Sequence, residues 1–414
     1  MDQGATTYTA VHDLTADDHT IRFEYYEAGG SALAGLRYAP VEPTDYQAQF
    51  FDNRDLFGTP ELVRGDPVVD FDWGGSSPDP ALTSDNFSAR WTRTAIFTAG
   101  AYLFAITGDD GVRLFLDDIL LIDGWVDQGA TTYTAIREVT AGEHTVRFEY
   151  YEAGGGALAG LRYAPVNAGD YVAQYFDNPD LWGIPAVVRG EPTIDHDWGD
   201  GSPDAALPGD NFSARWTKPD MFAAGSYLFA ITGDDGIRLF LDDTLIIDGW
   251  VDQGPTTYTA IRDVTAGEHT IRFEYYEAGG GAIAGLRYAP INPTDYQAQY
   301  YDNRELFGTP VLVRGDAAVY FDWGGGPPDP AVPEDNFSVR WTKTATFTAG
   351  NYQFTITGDD GVRLFLDDTL ILDGWVDQGP TTYATTRTLT AGEHTIRFEY
   401  YEAGGGALAR LSVQ

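Results

Sequence analysis

Apolar and polar residues alternate along much of the chain with the two-residue period of a half-buried strand. In His144-Thr-Val-Arg-Phe-Glu-Tyr-Tyr151 the alternation puts Val146, Phe148 and Tyr150 on one face. Ala101–Thr107 and Val112–Leu116 are rich in aliphatic and aromatic residues and read as two more strands. Leu116-Asp-Asp-Ile119 predicts a hairpin turn into Leu120–Asp123, because Asp tolerates the turn backbone. Ala141-Gly142-Glu143 predicts another turn, between Tyr133–Val139 and the strand that opens near His144. No long stretch carries a helical stripe. Short strands at regular turn spacing predict an all-β chain of antiparallel sandwich or barrel type.

The pattern repeats. Asp-Gln-Gly recurs at Asp2, Asp127, Asp252 and Asp377, and Thr-Gly-Asp-Asp-Gly at Thr107, Thr232 and Thr357, always 125 residues apart. Between Ala101–Pro165 and Ser226–Pro290, 57 of 65 positions are identical, and the differences are as mild as Val112/Ile237 and Glu138/Asp263. A period of 125 residues suits a whole domain rather than a solenoid unit. Three complete units are expected at 45–169, 170–294 and 295–414, joined by short Pro-bearing linkers such as Ala39–Thr44 and Ala289–Thr294.

Residues 1–44 match only the last third of a unit, with Met1 in the slot of Val126, Val251 and Val376. As an orphan, this segment is expected to expose apolar strand faces at Ile21, Phe23 and Tyr25, and a bare edge invites pairing. Two readings stand: a piece cut from a longer array, or an element that docks on another chain and links subunits head to tail.

Composition adds the partners. Sixty-three acidic residues face 25 basic ones, only two of them Lys (Lys218 and Lys343), for a net charge of −38. Such a field repels nucleic acid and anionic membrane surfaces and favours cations. No apolar run approaches the ~18 residues that cross a bilayer. There is no Cys, hence no disulfide and no thiolate metal site. The opening Met1-Asp2-Gln3-Gly4 is no signal peptide, so a secreted protein would stand here without its leader.

Five segments occur in one order: Asp45-Tyr-Gln-Ala-Gln-Phe-Phe-Asp52; Asp85-Asn-Phe-Ser-Ala-Arg-Trp91; Tyr102–Asp117 with its Thr-Gly-Asp-Asp-Gly; Ile122-Asp-Gly-Trp125; and Gly142-Glu-His-Thr-Val-Arg-Phe-Glu-Tyr-Tyr-Glu152. Together they resemble the protective-antigen fourteen-kilodalton domain family, β-barrel modules of bacterial toxins, secreted glycosidases, adhesins and fungal flocculins. The resemblance implies a non-enzymatic accessory that binds ligands or builds surface structures. In the flocculin-like lectins of that family, an Asp-Asp pair joined by a cis peptide holds Ca²⁺, which grips sugar hydroxyls. The matching positions are Asp109-Asp110, Asp234-Asp235 and Asp359-Asp360, so at most three Ca²⁺ sites are expected.

Neighbouring side chains on a regular strand point to opposite faces, so two adjacent carboxylates share one ion only where the backbone is distorted. Ca²⁺ takes 6–8 oxygens, and two carboxylates do not suffice. The Gly-rich loop Glu152-Ala153-Gly154-Gly155-Gly156 is expected to add backbone carbonyls, which makes Glu152 and Gly155, Glu277 and Gly280, and Glu402 and Gly405 candidate ligand-binding residues. The plain alternative is a solvated turn that ends a strand. Trp125, Trp250 and Trp375 either stack on a sugar ring or pack at a fixed repeat position. His19, His144, His269 and His394 open strands without a second His nearby, which argues against a metal role. Asn86, Asn211 and Asn336 satisfy the Asn-x-Ser glycosylation pattern inside segments that the fold already explains.

The sequence has no Gly-x-Ser-x-Gly, no His-Glu-x-x-His, no phosphate-binding loop and no EF-hand. The expected function is that of a non-enzymatic protein of the bacterial exterior. Its Ca²⁺-binding β-modules would form a surface fibre, stalk or adhesin, polymerising through the partial N-terminal repeat. A Ca²⁺-dependent glycan binder and an accessory fragment of a larger secreted hydrolase are the alternatives.

Overall fold

The structure, a computed structural model, describes residues 6–414; Met1 and the Asp2-Gln3-Gly4 copy of the repeat marker lie outside the described residues. Among the described residues every regular element is a β-strand, and the strands form six antiparallel sheets in three repeated modules.

The first module contains β1 (Tyr46–Phe51), β2 (Leu62–Asp66), β3 (Asp70–Gly74), β4 (Phe87–Phe97), β5 (Gly100–Asp109), β6 (Gly111–Leu116), β7 (Ile119–Gly124), β8 (Thr131–Val139), β9 (Gly142–Glu152) and β10 (Ala157–Pro165). One sheet has six strands in the order β2-β1-β4-β9-β6-β7, the other four in the order β3-β10-β5-β8. The two inner faces enclose one core. Val146, Phe148 and Tyr150, the face predicted from alternation, are all fully buried there, against Phe87, Trp91 and Phe104. Burying a side chain of this size stabilises the fold by roughly 1.5–3 kcal/mol. The predicted turn between β6 and β7 forms at Asp117 and Asp118, both with positive φ, as a two-residue hairpin requires.

The same ten elements recur from Tyr171–Phe176 to Ala282–Pro290 (β11–β20) and from Tyr296–Tyr301 to Ala407–Val413 (β21–β30). In the third module the sheets run β22-β21-β24-β29-β26-β27 and β23-β30-β25-β28. The chain divides into two compact units, Met1–Glu191 and Pro192–Gln414, so the division falls inside the second module. The hairpin β11–β12 (Tyr171–Phe176, Val187–Glu191) ends the first unit. Val188 of β12 and the linker residue Val166 pack on Leu103 and Ala105, the outward residues of β5. In the second unit Leu228, Ala230, Ile291 and Val313 make the matching cluster between modules two and three.

Residues 6–44 depart from the expectation of strand faces: they contain no strand. Ile21, Phe23 and Tyr25 are exposed to 56%, 53% and 49%, whereas their counterparts in the first module are fully buried. Strands β8–β10 exist because β4, β6, β5 and β3 receive them. Among the described residues no strand receives the segment 6–44, and alternation alone does not make a sheet.

Candidate carboxylate site at the end of each sandwich

Two chain crossings between the sheets meet at one end of each module. β5 of the four-stranded sheet ends at Asp109, and β6 of the six-stranded sheet starts at Gly111. β9 ends at Glu152, and the loop Ala153–Gly156 carries the chain back to β10. Asp109–Asp110, Asp234–Asp235 and Asp359–Asp360 are joined by cis peptides. Gly111 is required where it stands, because a Cβ there would meet Cε1 of Tyr151 at 2.0 Å.

In the first module the carboxylates of Asp109, Asp110 and Glu152 offer ligand oxygens that all lie within 4.8 Å of one another. Asp110 is buried and held at both oxygens: Oδ1 accepts from the Gln128 amide at 2.8 Å and Oδ2 from the Ala153 amide at 2.7 Å. Glu152 is fully buried; its Oε2 accepts from the Tyr150 hydroxyl at 2.9 Å, and its Oε1 has no hydrogen-bond partner. The Oε1 atoms of Glu277 and Glu402 are likewise buried and unpartnered.

Burial, opposed by the Tyr150 hydrogen bond and reinforced by the charges of Asp110 and Asp109, pushes Glu152 up to about 7. Glu277 and Glu402 are raised to about 7 for the same reasons. Burial and the Asp235 charge lift Asp234 to about 6, and Asp109 and Asp359 are raised likewise. Like charges are thus held together at each site, with one buried oxygen unspent. An oxygen-seeking divalent cation would neutralise that charge and use that oxygen. The residues present fit such an ion.

The other expected positions fall around this cluster. Gly155, Gly280 and Gly405 have positive φ in the loop after Glu152, Glu277 and Glu402. At Trp125 the Arg113 guanidinium lies 3.9 Å from the ring centre, and the Tyr151 ring meets it edge-on at 4.6 Å. Trp250 and Trp375 repeat the arrangement with Arg238 and Arg363. His144 is taken up by a turn, 2.6 Å from the Asp117 carboxylate. Asn86, Asn211 and Asn336 have positive φ at the entrance to strands.

Sequence reasoning missed the supporting groups. Gln128, Gln253 and Gln378 bind the second Asp of each pair through both backbone and side chain. The signal was present, since these are the Gln residues of the Asp-Gln-Gly repeat. Asp210 and Asp335 accept from the amides of Gly280 and Gly405 at 3.3 Å.

The family model described as PA14 domain matches residues 42–174, 166–299 and 292–414. The anti-sigma-I factor RsgI3 of Acetivibrio thermocellus is 30% identical over 266 residues, 58% of this chain and 41% of that protein. The chain therefore spans less than half the length of this curated relative. A solved anti-sigma factor domain-containing protein from Clostridium clariflavum is 27% identical and covers 59% of this chain and 94% of its own, with a TM-score of 0.28. A solved PA14 sugar-binding domain from an RTX adhesin is 21% identical and covers 29% of this chain and 89% of its own, with a TM-score of 0.25.

Proposed function

The chain belongs to the PA14 domain family, and from that membership we propose that it works as a non-enzymatic, extracellular array of calcium-holding modules that bind glycans. Asp109, Asp110 and Glu152 hold the ion in the first module; Asp234, Asp235 and Glu277 in the second; Asp359, Asp360 and Glu402 in the third. Carbonyls of the loops through Gly155, Gly280 and Gly405 complete the shell. A Ca²⁺ ion held by these residues would leave coordination positions for sugar hydroxyls.

The observation that carries this reading is the buried, unpartnered Oε1 of Glu152, Glu277 and Glu402, beside an Asp pair whose second member is locked by backbone amides. A merely solvated turn would not bury a third carboxylate and leave an oxygen without a donor. The net charge of −38 draws cations to the surface.

Titration calorimetry on chelator-stripped protein is expected to show three Ca²⁺ sites, and Asp235→Ala is expected to leave two. Calcium at about a hundred times its Kd should add about 2.7 kcal/mol of stability at each site, visible as a rise in Tm. Glycan-array signal should vanish with chelator. Calorimetry without Ca²⁺ heat, together with an unchanged Tm, would sink the proposal.

Among the described residues, no module is left open to receive residues 6–44 from another copy. Every complete module already contains its own last three strands.

A further inference from the structure

A polar cleft of about 370 Å³ lies between the second and third modules, inside the unit Pro192–Gln414. One wall is the start of β18 (Thr256–Val264), which supplies Thr257 and Thr259. The other is the outer face of the third module's six-stranded sheet, with Gln299 on β21, Arg340 and Thr342 on β24 (Phe337–Phe347), and Arg397 on β29 (Gly392–Glu402). Its size sits at the lower end of small-ligand pockets. It shares no residue with the Asp-Asp sites.

We infer that this cleft is a second, calcium-independent binding site for a sugar that carries a carboxylate. Charge is the first argument. Arg340 donates to Glu399 Oε1 at 3.0 Å, Arg363 to Glu399 Oε2 at 2.7 Å, and Arg397 to Asp368 at 2.9 Å. Of the residues that line the cleft, Arg340 and Arg397 are cationic and Asp368 is anionic, which leaves the lining with an excess positive charge in a chain of net charge −38. At physiological ionic strength charges beyond about 8 Å are screened, so a bound anion senses the local excess more than the distant acids.

Donor geometry is the second argument. Each guanidinium has five N–H donors in a planar fork that matches a carboxylate. Arg397 also places its Nε 3.5 Å from Glu399 Oε1, so it spans Asp368 and Glu399 on the cleft floor. The hydroxyls of Thr257, Thr259 and Thr342 and the Gln299 amide line the rest, and they suit a hydroxyl-rich ligand rather than a bare inorganic anion.

The test is calorimetry of the full chain in excess chelator, titrated with sodium glucuronate, glucose and sodium sulfate. Glucuronate should bind saturably, with glucose and sulfate each at least tenfold weaker. Arg397→Gln should weaken glucuronate tenfold or more. Because that change leaves Asp368 and Glu399 short of a partner, Thr342→Leu is the second variant: it fills the cleft without altering charge and should abolish binding. No saturable binding in chelator, equal binding of sulfate or glucose, or unchanged affinity in Thr342→Leu each overturns the proposal. Glucuronate binding that appears only with Ca²⁺ also overturns it, while leaving the Asp-Asp sites standing.

Discussion

His144 faces an acceptor from each ring nitrogen: the Asp117 carboxylate at 2.6 Å from Nδ1 and the Thr140 carbonyl at 3.0 Å from Nε2. Only the imidazolium can donate to both. Its pKa is accordingly raised, first by the Asp117 hydrogen bond, and that of Asp117 is lowered, first by the His144 hydrogen bond. A raised histidine stabilises the fold fully below its unfolded value near 6.5 and loses that contribution as pH climbs through the raised value. A lowered aspartate contributes fully above its unfolded value near 3.9 and loses that as pH falls through the depressed value. The pair is therefore intact between about pH 4 and 6.5. His269–Asp242 and His394–Asp367 repeat it, so three modules share the window. Asp117→Asn should lower the calorimetric Tm at pH 5.5 more than at pH 8.5. An NMR titration placing the His144 pKa at or below 6.5 would refute the pairing.

Leu103 of β5 and Leu228 of β15 (Gly225–Asp234) point away from their own cores, yet both are fully buried, because each meets the module that follows. The corresponding residue of β25 (Gly350–Asp359) is Gln353, which is exposed. The apolar runs at 102–106 and 227–231 thus record two coverings at once, an inner core and an outer joint. Leu228→Ala should cost about 2–5 kcal/mol, as large cavities in cores do. The loss should appear as faster proteolysis of the linker Pro290–Thr294, with the first module's melting unchanged. Equal protease sensitivity in variant and parent would mean that Leu228 does not hold the joint.

Of the strands in the first module, β5 to β9 were legible from alternation and turn residues. Alternation in β9 and paired Asp at the β6–β7 turn correspond one to one with what folds. The Asp-Asp positions were legible through a family resemblance. Glu152 was named through its place in the Gly-rich loop, but its burial and its approach to the Asp pair follow only from the crossing that brings the end of β9 beside the end of β5. Residues 6–44 mark the opposite limit. They share the pattern of β8–β10 but form no strand, since a sheet is a property of pairs of strands and a sequence shows one at a time.

For the whole molecule, charge and strand accounting bear on the same question, whether copies associate. Each chain has three sets of receiving strands, and each set is filled by the last third of its own module. Exchanging residues 6–44 of one copy for the nearly identical last third of another would release as much buried surface as it gains. Nothing then offsets the entropy of association. Mutual repulsion between chains of net charge −38 adds to that cost, most of all at low ionic strength, where the screening length reaches about 30 Å. Light scattering of the chain alone should therefore give the monomer mass of 45.2 kDa from low to high salt. A separately made fragment 45–126, which carries β1–β7 and lacks the last three strands, should form a one-to-one complex with it. The same fragment should leave a chain carrying Phe23→Glu and Tyr25→Glu uncomplexed, because those side chains would enter the fragment's core. Concentration-dependent growth of the parent chain without any fragment would show that copies bind through another surface.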